Sequence, residues 1–329
     1  MSAVSEDRSD DPTIQPTLRG DGDSTAQRRA RTPGELPRGA TVGRYVVLAR
    51  VGAGTMGVVY AAYDPHLDRR VALKLLTASR TGGTEGRART FTEAQSLARL
   101  THPNVVAVHD VGKIELGEAE AVFLAMEFIE GRTLKEWLAE AKRPWADVLE
   151  VFLQAGHGLA AAHATGMIHR DFKPDNVMIT SAAARRVVVM DFGLAQVLDL
   201  DEARASTSAP ADAQLLLTLT GKLVGTPAYM PPEAYREDQK QLGPWSDQFS
   251  FCVALYEAVY GQRPFVADSL LGQMRAVTSG PPREVPRGSG VPGWLHALIV
   301  RGMRAEPGER HASMAALLAA LESGRDRGR

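Results

Sequence analysis

The chain has 329 residues, 44% hydrophobic and 23% charged, enough to bury a sizeable core in one large or two small domains. Thirty-eight Lys and Arg against 39 Asp and Glu leave a formal charge of −1, which gives no general pull toward nucleic acid or an anionic membrane. One cysteine, Cys252, excludes an internal disulfide framework; with no bilayer-length apolar run and no signal-peptide core, the expectation is a cytoplasmic protein that inserts in no membrane.

Residues 1–40 read as a disordered tail, rich in Asp, Arg, Ser, Thr, Pro and Gly and without period. From Arg44 the pattern turns to β-prone runs at 45–51, 58–63 and 71–76, separated by turn residues. A helix is predicted over 87–100, with Phe91, Ala94, Leu97 and Ala98 near one face, followed by strands over 105–111 and 121–129. Past Gly131 the chain becomes helical, at 133–141, 145–165, 246–260, 294–304 and 311–321. Five strands around one helix, then a helix-rich half, predict an α+β protein of two packed lobes with a cleft between them. The lobes are placed at 41–130 and 131–323, with a short tail at 324–329. Cys252 falls in an apolar helical run and reads as a small buried hydrophobe.

The chemistry-bearing residues follow the same order. Gly52, Gly54 and Gly57 frame Gly52-Ala53-Gly54-Thr55-Met56-Gly57, a turn whose backbone N–H groups can approach a phosphate with no Cβ in the way. With 31 glycines in the chain this pattern alone is weak. It lies between two strands, which fits a hairpin lid and not the strand-to-helix junction of a dinucleotide site. Lys74, on the third strand of an arginine-rich chain, is a compact cation suited to phosphate oxygens, with Glu93 on the next helix as its candidate partner. His169-Arg170-Asp171-Phe172-Lys173-Pro174-Asp175-Asn176 then sets a carboxylate, an ammonium and an amide in fixed register. Phosphoryl transfer needs such groups: Asp171 to accept a hydroxyl proton, Lys173 to meet the moving phosphate, Asn176 to hold a metal ion. Asp191-Phe192-Gly193 ends the apolar run 187–190, where a carboxylate can chelate Mg²⁺.

This ordered set resembles the eukaryotic-like (Hanks-type) protein kinases, in the style of their bacterial serine/threonine branch, over about residues 44–321. The resemblance implies a bilobal protein-kinase fold, ATP as co-substrate and Mg²⁺ or Mn²⁺ as cofactor. It implies that Lys74 meets the α/β-phosphates and pairs with Glu93, that Asp171 is the base, and that Asn176 and Asp191 are metal ligands. Val51, Gly52, Ala53, Gly54, Thr55, Met56, Gly57, Val59, Ala72 and Met178 would enclose ATP, with Met126 as gatekeeper and the backbone of Glu127 and Ile129 holding adenine. Leu97, Val108, His169 and Phe192 would stack between the lobes, with Asp247 anchoring them.

Lys173 and Thr226 follow the serine/threonine pattern, so proteins bearing Ser or Thr are the expected partners. An activating homodimer is a further expectation. Arg170, beside the catalytic carboxylate, calls for an anion, and phosphorylated Thr218 or Thr220 in the long segment 191–233 would supply it. Pro231-Pro232-Glu233 departs from the family's Ala-Pro-Glu by one residue, with Arg310 expected as the buried partner of Glu233. Two other readings use the same residues: a catalytically silent pseudokinase scaffold and a small-molecule phosphotransferase.

Overall fold

The computed structural model describes residues 36–54, 57–76, 83–116, 119–182, 184–192, 227–235 and 242–327. Its first lobe is an antiparallel sheet of β1 (Thr41–Val42), β2 (Tyr45–Gly54), β3 (Gly57–Asp64), β4 (Arg69–Leu76), β5 (Val108–Leu116) and β6 (Ala119–Glu127), in the spatial order β1-β2-β3-β4-β6-β5, with helix α1 (Gly83–Ala98). The strand beyond the five predicted is β1, too short to show a period and seen only through its pairing of Thr41 with Val46. Alternation along β4 separates two cores. Val71, Leu73 and Leu75 pack with Tyr45, Tyr60 and Phe123 on one face, while Leu76 joins Leu97, Leu124 and Met126 on the other. Lys74 shares the parity of Leu76 and so faces inward.

Residues 36–40, expected within the tail, are tied to the first lobe. The Leu36 N–H donates to Tyr60 Oη (3.0 Å), Gly39 N–H donates to the Val47 carbonyl (2.8 Å), and Val47 N–H donates to the Ala40 carbonyl (2.8 Å). The rest of that tail, residues 1–35, lies outside the described residues. The strand predicted over 105–111 starts instead at Val108. Val105 and Val106 are apolar because they run beside a strand of the second lobe: Val106 N–H donates to the Val189 carbonyl (3.0 Å), and Val189 N–H to the Asn104 carbonyl (2.9 Å).

The second lobe opens with β7 (Gly131–Thr133), which pairs with β8 (Val177–Thr180), itself paired with β9 (Val187–Val189). A Cβ on Gly131 would stand 2.1 Å from the Ile179 carbonyl oxygen, so only glycine fits there. Helix α2 (Leu134–Glu140) starts with a capping box in which Thr133 Oγ1 accepts from Glu136 N–H (3.1 Å) and Glu136 Oε2 accepts from Thr133 N–H (2.8 Å). Helices α3 (Trp145–Ala164) and α4 (Pro244–Tyr260) form the lobe's centre, Phe152 meeting Phe251 edge-on at 5.4 Å. Gly261, at φ 67°, caps α4 in the left-handed conformation glycine favours.

Helix α5 (Leu270–Ser279) was not predicted; Gly272 interrupts its apolar pattern, and the N-cap Ser269 was its remaining signal. Helices α6 (Gly293–Gly302) and α7 (Met314–Arg327) complete the lobe, α7 running past the predicted end at 321 and through most of the short tail. Among the described residues no helix is long and apolar enough to cross a membrane.

Candidate active site

The two sheets bring three distant segments to one cleft. Lys74 projects from β4, the 3₁₀ turn Pro174–Asn176 precedes β8, and Asp191 follows β9. Lys74 Nζ lies 2.9 Å from Asp191 Oδ1, with only 3% of the lysine side chain exposed against 30% of the aspartate's. Burial works against the Asp191 carboxylate, but the Lys74 ammonium, by charge and by hydrogen bond, and the more distant His169 and Lys173 outweigh it and hold the group below its ordinary range. Asp191 has φ 60°, an uncommon conformation for a residue with a Cβ, and one that persists where surrounding contacts impose it.

Asp171 is the second pole. Its Oδ2 accepts from Lys173 Nζ (2.7 Å) and from Asn176 Nδ2 (3.2 Å), and its carbonyl accepts from the same Asn176 amide (2.8 Å). Committing Nδ2 to Asp171 leaves the Asn176 Oδ1 with no bond to a described residue. The Asp191 carboxylate lines the same cavity, so both residues offer oxygen donors of the hard kind that Mg²⁺ takes. Lys74, Asp171, Lys173, Asn176 and Asp191 line one cavity of about 970 Å³, roofed by Ala53, Gly57 and Val59. Gly57 has φ 143°, and a Cβ there would lie 1.9 Å from the Leu75 carbonyl oxygen, so the lid needs glycine.

Comparison with known proteins now decides the family. The protein kinase domain model matches residues 45–319. The chain belongs to the protein kinase domain family. It is similar to the serine/threonine-protein kinase PknL of Mycobacterium tuberculosis, 36% identical over 282 residues, which are 85% of this chain and 65% of that protein. It is also similar to the serine/threonine-protein kinase pkn3 of Myxococcus xanthus, 35% identical over 289 residues, covering 85% of this chain and 50% of that one. The chain thus spans under two thirds of the length of these relatives. In fold it is similar to the kinase domain of Mycobacterium tuberculosis PknI, with a TM-score of 0.64 at 24% identity, over 88% of this chain and 99% of that one.

Lys74 forms an ion pair with Asp191, and Glu93 Oε1 faces Arg170 NH1 at 3.5 Å. Arg170 belongs to the loop that leads into Asp171. The backbone of that loop is held from below. Asp247 Oδ2 accepts from His169 N–H and Oδ1 from Arg170 N–H, both at 2.7 Å, which fixes Arg170 at φ 67° just before Asp171. Phe192 meets His169 at a tilt, ring centroids 4.7 Å apart, and belongs to one buried cluster with Leu97 and Val108.

The other described residues expected at the nucleotide lie on β2, β4, β6 and β8 and in the linker after β6, and are not among those lining the cavity. Val51 is exposed on β2 beside Gly52 and Gly54. Ala72 pairs with Met126 across β4 and β6, and Glu127 N–H donates to the Ala107 carbonyl at 2.9 Å. Ile129 and Met178 are half-buried. Thr55, Met56, Gly193, Thr218, Thr220 and Thr226 lie outside the described residues. Glu233 and Arg310 form a two-pronged buried pair, NH1 to Oε1 at 2.9 Å and NH2 to Oε2 at 2.8 Å, and Pro232 opens the short 3₁₀ turn that carries the glutamate.

Sequence reasoning missed two supports. His163 Nε2 lies 2.7 Å from Asp247 Oδ2, bracing the carboxylate that holds the loop before Asp171. Tyr229 donates from Oη to Glu257 Oε2 at 2.6 Å, and burial followed by this bond raises its phenol well above the usual range. A lone histidine on an apolar helix and a tyrosine after a long loop carry no motif; only their place in the fold exposes them.

Proposed function

We propose that this domain is a serine/threonine protein kinase that transfers the γ-phosphoryl group of ATP to Ser or Thr hydroxyls of proteins. The observation that carries the reading is the convergence of Lys74, Asp171, Lys173, Asn176 and Asp191 on one cavity under a glycine lid. The names of the relatives support the Ser/Thr class.

In this reading the acceptor hydroxyl gives its proton to Asp171 as its oxygen bonds to the γ-phosphorus. The bond to the β-bridging oxygen breaks, and ADP leaves. Lys173, already on the Asp171 carboxylate, steadies the charge on the group in flight. Lys74 would neutralise phosphate oxygens, and the adenine would extend past Val59 at the cavity wall toward Ala72, Met126 and Met178 and the backbone of Glu127 and Ile129 beside it. Asn176 and Asp191 would hold a divalent cation, which supplies Lewis-acid stabilisation of phosphate charge. Phosphorylation of Thr218 or Thr220 would supply an anion for Arg170.

Every catalytic position carries a chemically competent residue, which disfavours the scaffold reading. Incubation with Mg²⁺ and labelled ATP, then site mapping, tests the proposal: label is expected on protein Ser or Thr, including the domain itself. Asp171→Asn should lower turnover by roughly 10²–10⁴-fold. Unchanged turnover in that variant, or label on small molecules alone, would overturn the reading.

A further inference from the structure

The catalytic cavity does not end at the phosphate-handling groups. It continues along α2 and the turn after it and past the end of α4, where Lys135, Lys142, Arg143 and Arg263 face it, against two carboxylates, Asp175 and Glu257. Both carboxylates are already engaged. Asp175 Oδ1 meets Lys135 Nζ at 2.8 Å, while Glu257 accepts from Tyr229 Oη at 2.6 Å and from Arg263 Nε at 3.1 Å.

The surplus charge is therefore that of Lys142 and Arg143. Lys142 is exposed and forms no ion pair with a described residue. Arg143 is held in place, its guanidinium 4.5 Å over the Trp137 ring and its NH2 3.3 Å from both the Trp137 carbonyl and Glu140 Oε2. Glu140 gives its other oxygen to Arg132, so one carboxylate serves two arginines and does not cancel the charge of Arg143.

We propose that this basic wall selects substrate segments carrying Asp or Glu next to the acceptor Ser or Thr, an inference that rests on the protein-kinase reading above. A hydroxyl delivered to Asp171 belongs to a chain advancing about 3.3 Å per residue, so the flanking side chains fall along the same cavity. An arginine or lysine there meets carboxylates already paired and must displace Lys135 or Arg263. An aspartate or glutamate meets Lys142 and Arg143 directly. The groups are partly solvated, so the preference weakens as salt rises.

The test uses peptides of one design, a threonine flanked by glutamates, by alanines or by arginines, with wild type, Lys142→Glu and the Lys142→Glu/Arg143→Glu double variant. Lys142→Glu changes only an exposed side chain, so it reads the charge even if the double variant loses the Trp137 packing. For wild type, kcat/KM should be about tenfold higher for the glutamate peptide than for the alanine peptide, carried by KM, and lowest for the arginine peptide. Lys142→Glu should narrow that gap and the double variant should invert the order, while 0.5 M salt should compress it. Equal use of glutamate and alanine peptides overturns the inference and leaves the kinase reading standing. So does a reversal variant whose KM rises for ATP and not for the glutamate peptide. Label on no peptide and none on the domain overturns both.

Discussion

Lys74 and Asp191, 117 residues apart in the chain, meet at 2.9 Å across the cleft, one nearly buried and the other partly open to solvent. This contact joins the strand lobe to the loop behind β9. It also makes the ionisation of Asp191 depend on a cation from the other lobe.

Lys74→Met is therefore expected to abolish phosphoryl transfer by at least about 10²-fold, and Lys74→Arg to restore little, since a planar guanidinium does not replace a compact ammonium. The same variant has a pH signature. In wild type the carboxyl of Asp191 is depressed below 3.8, so the pair contributes stability that is fully present above that pH and is lost as pH falls through the lower folded value. Without Lys74 the charge and hydrogen bond that oppose burial most are gone, and only His169 and Lys173 still lower the carboxyl, so it rises and acidification costs the fold less. Melting temperatures of the two proteins at pH 7 and pH 3.5 check this. The wild type should lose more than the variant on acidification, and parallel losses would refute the coupling.

Asp247 gives a second prediction. One buried carboxylate accepts from two backbone N–H groups of the catalytic loop and touches His163. Asp247→Asn can serve only part of that set, turning an amide NH₂ toward a donor. A loss of about 2–3 kcal/mol in urea unfolding is expected, from weakening charge-assisted bonds in a buried site. Activity should fall in kcat with little change in the KM for ATP, because the defect lies in the position of Asp171 and not in the nucleotide pocket.

Lys74, Asp171, Asn176 and Asp191 could be singled out in the sequence because phosphoryl transfer calls for those residue types in that order, and the structure places all four on one cavity. The strand predicted at 105 failed because apolar character does not say which sheet a segment serves: Val105 and Val106 are as apolar as any strand, but they run beside β9 and not in the first sheet. Helix α5 was hidden by Gly272, and His163 by having no motif around it.

Cys252 tests the packing of α4 independently of chemistry. It is fully buried, and burial pushes its thiol up to about 12, with Arg310 acting weakly the other way. Gly302 packs so closely that a Cβ there would lie 2.2 Å from the sulfur. A thiol reagent at pH 8 should leave the folded protein unmodified over the time in which the urea-unfolded chain reacts fully, measured by intact mass. Rapid labelling of the folded protein would show that this part of the lobe opens.

Glu233 and Arg310 make the last case, and here two effects oppose each other. The pair is almost wholly buried, with 0% and 1% of the side chains exposed, and Arg310 also donates to the carbonyls of Arg304 and Trp245 at 2.8 Å each. Taking two charges out of water costs nearly as much as their attraction returns, so the intact pair adds little net stability. Removing one partner strands the other. Arg310→Met should cost about 3–5 kcal/mol, leaving Glu233 with Ser246 as its remaining described donor. Glu233→Leu should cost a similar amount, with Arg310 keeping its carbonyl partners. The double variant should lose clearly less than the sum of the two, because no buried charge is then uncompensated. Urea denaturation of the three variants measures this, and additive losses would show that the residues act separately.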